Sequence, residues 1–314
     1  MRALITGVNG FVGGHLAEHL LANGWEIWGV GRQANLSLPS IASQVSYLQA
    51  DLEDRQAAQD VLATVRPDSI FHLAGQAFVP QSFSDPQSTF ATNIFAELNI
   101  FLAMIDLKLD ATVLIAGSTE VYGNIRPEDL PVDEDTPFNP VSPYAVSKIA
   151  QDMLALQYHL SHKLKTIRAR PFNHIGPRQS NRFAASSFAY QIAQIEAGKQ
   201  EPILRVGNLS AQRDFTDVRD MAQAYRLAVQ HCQPGQAYNI GSGQAVPMQS
   251  ILDTLLSFSN VPIEVQTDPA RMRPADVPIV VCDASRFRAA TGWKPSYTLS
   301  QTLADLLDEW RKSV

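Results

Sequence analysis

The first 171 residues alternate short β-prone runs with stretches of helical spacing, and this alternation leaves the chain few folds. Apolar runs lie at 2–6, 25–31, 45–49, 68–74, 111–116 and 165–171. Between them, 10–24, 54–65, 85–107 and about 143–160 carry helical spacing. Strands that read as continuous apolar runs are buried on both faces, and strand–helix alternation builds a parallel sheet covered by helices. The expected fold is therefore α/β with a doubly wound parallel sheet. After Pro171 the pattern changes, with helices around 183–198, 217–231, 247–258 and 301–312 among prolines and short strands. This part is expected to form a smaller C-terminal α/β substrate-binding lobe. The expected division is 1–171 plus about 214–242 for the sheet domain, and about 172–213 plus 243–314 for the lobe.

Gly7, Gly10 and Gly13 follow the first run at G-x-x-G-x-x-G spacing, with Phe11 and Val12 between the last two. Glycines at a strand–turn–helix junction let the backbone approach a pyrophosphate, and the helix N-terminus supplies free N–H groups and a positive dipole end. This context predicts a Rossmann-type dinucleotide cradle rather than a plain tight turn. At the end of the second run an acid would bond the ribose 2′-hydroxyl of NAD, whereas Arg suits the 2′-phosphate of NADP. The sequence has Arg32 there and no acid, so NADP(H) is preferred, with NAD(H) as the alternative. Arg32 as a solvated surface charge is the competing reading. Asp51 and Leu52, after the third run, fall where the adenine would lie. Leu73, Ala74 and Gly75 end the fourth run with small residues that let a cofactor lie close.

Tyr144 and Lys148 form Y-x-x-x-K on one helical face. A phenol near pKa 10 is a weak acid or base at neutral pH, and a nearby ammonium is expected to lower that value. Ser118, at the end of the preceding run, can bond the same substrate oxygen. Thr119 and Glu120 follow it, and Glu120 reads as a base, a ligand for sugar hydroxyls or a loop acid on a backbone N–H.

Ser118, Tyr144 and Lys148 together with the glycine loop resemble the active site of the extended short-chain dehydrogenase/reductase family. The resemblance covers essentially the whole chain and implies that Lys148 bonds the nicotinamide ribose. "RPFNHIGPRQ" (170–179) resembles the segment that turns toward a sugar nucleotide, which implies Asn173 at the diphosphate, His174 near the nicotinamide and Arg178 by the cofactor. "VGNLSAQRDFTDVRD" (206–220) is similar to the GDP-mannose branch. By that likeness Asn208, Arg213 and Arg273 become substrate-binding candidates, since the planar guanidinium bonds phosphate bidentately. Arg213 could instead pair with Asp214, and "TGWKP" (291–295) could be a stabilising turn only. The branch implies a GDP-sugar substrate and two competing reactions. One is reduction of the C4 ketone of GDP-4-keto-6-deoxy-D-mannose to GDP-D-rhamnose. The other is 4,6-dehydration of GDP-mannose. The loop "GVNGFVGGHL" and the length of 314 residues favour the reductase. Another nucleotide-sugar epimerase or dehydratase, or a non-catalytic dinucleotide sensor, stays open as an alternative.

The net charge of −6 argues against a nucleic-acid partner, which needs a basic footprint. No apolar run approaches the ~20 residues of a membrane span, so no membrane partner is expected. Cys232 and Cys282 are too few for a disulfide framework and fit a cytoplasmic protein. "HLAEH" (15–19) matches a zinc-protease pattern, but it lies on the cradle helix without a further ligand, and no metal is expected. The resemblance implies a homodimer through the helices at 85–107 and 143–160. Asn93, Phe95 and Leu98 are ambiguous there between interface and interior.

Overall fold

The computed structural model describes residues 1–272 and 277–314. Seven strands make the main sheet: β1 (Arg2–Thr6), β2 (Glu26–Gly31), β3 (Val45–Gln49), β4 (Ser69–His72), β5 (Thr112–Ala116), β6 (Lys165–Pro171) and the late β10 (Ala237–Ile240). Their order is β10-β6-β5-β4-β1-β2-β3, with every pairing parallel. This is the doubly wound, Rossmann-type sheet expected from the sequence. On one face α1 (Phe11–Ala22) packs beside α8 (Val218–His231) through Leu16, Leu20, Met221 and Tyr225. On the other lie α2 (Arg55–Val65), α5 (Ala96–Asp106) and α6 (Pro143–His162), sharing Val61, Leu62, Ile100, Phe101 and Ala155. The winding direction reverses between β1 and β4, and the crevice at such a switch point is where α/β sheets bind ligands.

The second, smaller lobe holds β7 (Asn173–Ile175), β9 (Gln212–Asp217), β11 (Ala245–Pro247) and β13 (Ile279–Val280) in one sheet. β8 (Ile203–Val206) and β12 (Glu264–Thr267) form a parallel pair. Their core is closed by α7 (Ala184–Glu196), α9 (Met248–Ser257) and α11 (Leu299–Ser313). β9 belongs to this sheet through Asp217, which then caps α8 by accepting from Arg219 N at 2.7 Å. The chain thus crosses back to the main sheet at residue 217. Asp214 is fully buried and accepts from Ser242 N, Gly243 N and Cys282 N.

"TGWKP" ends α10 (Ser285–Thr291), with Gly292 left-handed at φ 68°. Trp293 is buried and donates to Asp220 O at 3.1 Å, so this stretch is a stabilising turn. Short helices α3 (Val79–Ser84) and α4 (Pro86–Phe90) lead into a π turn at Ala91–Phe95 and then α5. The continuous stretch Pro86–Asp106 is apolar and long enough to cross a membrane, contrary to the sequence expectation. Half of it is buried here, and it turns Asn93, Glu97 and Asn99 into the interior.

Candidate active site

The glycine loop forms a cradle that only glycine can line. Gly7 has φ 69°, and a Cβ there would lie 3.0 Å from the Ala74 backbone. A Cβ on Gly13 would fall within touching distance of Gly7 O and 2.8 Å from Val8 Cα. Gly10 opens α1 without a side-chain cap, and the first turn carries no acid. The first N–H groups of α1 therefore face an anion site with nothing of the helix's own to satisfy them. These features fit a dinucleotide pyrophosphate. Asn9, which sequence reasoning passed over, shapes the neighbouring wall by donating to Asn35 O at 3.0 Å and accepting from Ser37 N at 2.8 Å.

Thr6 ties the two loops at the switch point together. Its Oγ1 accepts from Leu73 N at 3.1 Å and Ala74 N at 3.0 Å, and bonds His72 Nδ1 at 2.9 Å. Burial pushes His72 down to about 3, so it is neutral at working pH. Arg32 is exposed just past β2, and Asp51 is exposed while Leu52 is buried just past β3. His174 stacks on Phe11 at 6.0 Å with rings 9° apart, while its Nδ1 bonds Phe172 O. Arg178 does not stand loose beside the cradle: its two terminal nitrogens donate to Glu18 on α1 at 2.9 and 2.6 Å. His15 bonds Pro177 O, and His19 accepts from Arg226. "HLAEH" is thereby committed to packing α1 against the 177–178 segment and against α8. Among the described residues, no group of three or more His, Cys, Asp or Glu could hold a metal.

Ser142 caps α6 through Ala145 N at 3.1 Å and Pro143 sets its first turn, which delivers Tyr144 and Lys148 inward. Both are 7% exposed. Ser118 caps the short 3-10 turn Thr119–Val121 and hydrogen-bonds the Tyr144 phenol. Lys148 Nζ donates to Ala116 O at 2.8 Å and stands 5.9 Å from the Tyr144 ring centre. The expected fall in the Tyr144 pKa is not met. Burial pushes it up to about 12; the Ser118 bond opposes this, and the Glu120 charge adds to it. Burial likewise lowers Lys148 to about 8, with Glu97 pulling it back up. Desolvation of the phenol is the largest effect, so the Y-x-x-x-K pairing does not bring its pKa down here. At neutral pH the site therefore presents a neutral phenol.

The substrate candidates scatter across the small lobe. Asn173 lies on β7 and Arg213 on β9, where Arg213 donates to Gln212 O. Asn208 caps its own loop through Ser210 N at 3.0 Å. Arg273 lies outside the described residues. Sequence reasoning missed a cavity of about 370 Å³ lined by Asn181, Ser187, Tyr190, Gln191, Arg205 and Arg271. It also missed the buried pair Glu97 and Gln151. Asn93 is interior, donating to Ser147 Oγ at 2.9 Å, and Leu98 packs on the core, while Phe95 is 52% exposed.

Residues 4–306 match the family model for GDP-mannose 4,6 dehydratase. The chain is 36% identical over 315 residues to GDP-6-deoxy-D-mannose reductase from Pseudomonas aeruginosa, covering 100% of this chain and 98% of that one. Among solved structures, it is similar to RMD from Pseudomonas aeruginosa complexed with NADPH, with TM-score 0.87 and 35% identity, covering 100% and 99%. It is also similar to UDP-glucose 4-epimerase from Thermus thermophilus complexed with NAD, with TM-score 0.90 and 28% identity over 100% of each chain.

Proposed function

This chain belongs to the GDP-mannose 4,6 dehydratase family, and we propose that within it the protein is an NAD(P)H-dependent reductase. It reduces the C4 ketone of GDP-4-keto-6-deoxy-D-mannose to GDP-D-rhamnose. The observation that carries this reading is the end-to-end similarity to the Pseudomonas reductase.

NADP(H) is the preferred cofactor and NAD(H) the alternative, in keeping with the NADPH and NAD complexes of similar structures. Gly7, Gly10, Phe11, Val12 and Gly13 would hold its pyrophosphate. Arg32, Asp51, Leu52, Leu73, Ala74, Gly75, His174 and Arg178 would border the rest. When bound, the cofactor supplies the hydride. Tyr144 donates the proton to the nascent C4 oxygen, Ser118 fixes that oxygen, and Lys148 holds the ribose and offsets the phenolate charge. Glu120 orients sugar hydroxyls and keeps Tyr144 protonated. The GDP portion is assigned to the small lobe, with its cavity bearing Arg205 and Arg271, and with Asn173, Asn208 and Arg213 toward the diphosphate. The sequence-based division, 1–171 plus about 214–242 against the remainder, is proposed only in outline, since β9 keeps residues up to Asp217 in the small sheet while Phe287 and Trp293 pack in the main core.

Dehydration of GDP-mannose is the second reading, favoured by the retained Glu120. Supplying the keto-sugar with NADPH, and GDP-mannose without reductant, distinguishes the two. Conversion of GDP-mannose alone would overturn the reductase assignment.

A homodimer is proposed through α6. Val146, Met153 and Leu160 recur every seven residues and are 45%, 38% and 61% exposed, with Phe95 exposed on the preceding π turn. Such a stripe fits pairing with a second copy. A cytoplasmic location is proposed from two free, buried cysteines.

A further inference from the structure

Arg170 on β6 is buried, and its guanidinium grips two other elements at once. Nε and Nη2 donate to the two carboxylate oxygens of Asp152 at 2.8 and 3.1 Å. Nη1 donates to the Tyr122 hydroxyl at 2.9 Å and to Glu134 O at 3.0 Å. The Phe138 ring centre lies 4.8 Å from Cζ. Tyr122 is itself fully buried, and its hydroxyl donates to Asn239 Oδ1 at 2.6 Å.

Both partners belong to elements that carry the reacting groups. Tyr122 closes the 3-10 turn that Ser118 begins: Ser118 Oγ accepts from Glu120 N at 3.2 Å, and Tyr122 N donates to Thr119 O at 3.1 Å. Asp152 lies one helical turn beyond Lys148 and two beyond Tyr144 on α6, on the same face. Arg170 thus ties together the turn and the helix that Ser118 and Tyr144 join by their own hydrogen bond. A buried ion pair adds little net stability over apolar residues of the same volume, and its best-attested use is to fix one register. The planar fork of Arg holds two directions at once, which a single ammonium does not.

We propose that Arg170 is a positioning residue for the reaction: by holding Tyr122 and Asp152 together it fixes Ser118 against Tyr144. The proposal rests on the reading of Ser118 and Tyr144 as the pair that acts on the reacting oxygen. Ser118 moves with the turn and Tyr144 with α6, so a slack tie lets the two hydroxyls part. Substrate binding is then left in place, while the step that needs both hydroxyls on one oxygen slows.

The test is a double-mutant cycle in kcat between Tyr122→Phe and Ser118→Ala. Tyr122→Phe keeps the ring in the core and removes only the hydroxyl that Arg170 grips. It is expected to lower kcat about tenfold, with KM and NADPH affinity within about twofold of the unmodified protein. In the Ser118→Ala background the same change should cost less than about twofold, because no Ser118 hydroxyl is left to misplace. Arg170→Lys, which keeps the charge and loses the fork, should behave alike. Unchanged kcat in Tyr122→Phe with only thermal stability reduced, or losses that multiply across the cycle, would overturn the proposal. The cycle is read on whichever reaction the unmodified protein runs, the keto-sugar with NADPH or GDP-mannose alone, so the reductase assignment stands or fails separately.

Discussion

Under the proposed reading, the main sheet and the small lobe would receive phosphate in opposite ways. The main sheet presents backbone: a glycine loop and the bare N-terminus of α1, fixed wherever the strand and helix go. The small lobe presents side chains: Arg205 and Arg271 at a cavity and Arg213 on β9. A backbone cradle is all-or-none, since one added methyl fills it. A side-chain site degrades one contact at a time. Mutations on the two sides should therefore differ in size and in which ligand they weaken.

The largest effect is expected between the sides, at the proton donor. Tyr144→Phe should lower kcat by about 10³-fold or more while NADPH affinity, read by fluorescence titration, changes little. Gly13→Ala should come next, weakening NADPH binding by roughly 100-fold, because its Cβ would overlap Gly7 O. Equal binding of NADPH by this variant would break the backbone half of the comparison. Arg271→Ala should raise KM for the GDP-sugar about tenfold and leave NADPH binding alone, as expected for one lost charge-assisted bond. Arg32→Ala should give the smallest change, a shift of about tenfold or less in the ratio of NADPH to NADH affinity. A pH profile adds an independent check. Activity should fall as pH rises through about 8, where buried Lys148 gives up its proton. The same lowering means that burying the ammonium costs stability below that pH, a cost relieved as pH rises toward the ordinary lysine value.

This asymmetry also governs what could be read from the sequence. β1, β3 and β6 fall on the expected residues, and the cradle was legible because its chemistry is local. Ser118, Tyr144 and Lys148 were legible because their spacing is fixed by one strand end and one helix. The helix expected over 85–107 hides a π turn at Ala91–Phe95, which no periodicity marks. The Glu97–Gln151 pair could not be read, because it depends on how two helices 54 residues apart align. For the same reason the Tyr144 pKa was expected to fall: the Y-x-x-x-K spacing shows the ammonium but not the burial of the phenol that opposes it.

The central claim is that this chain delivers an external hydride to a C4 ketone. Deuterated NADPH with GDP-4-keto-6-deoxy-D-mannose tests it most directly, with the product followed by NMR. The account predicts one deuterium at C4 and one NADPH consumed per product. Accumulation of the keto-sugar from GDP-mannose, with no deuterium taken from NADPH, would contradict it.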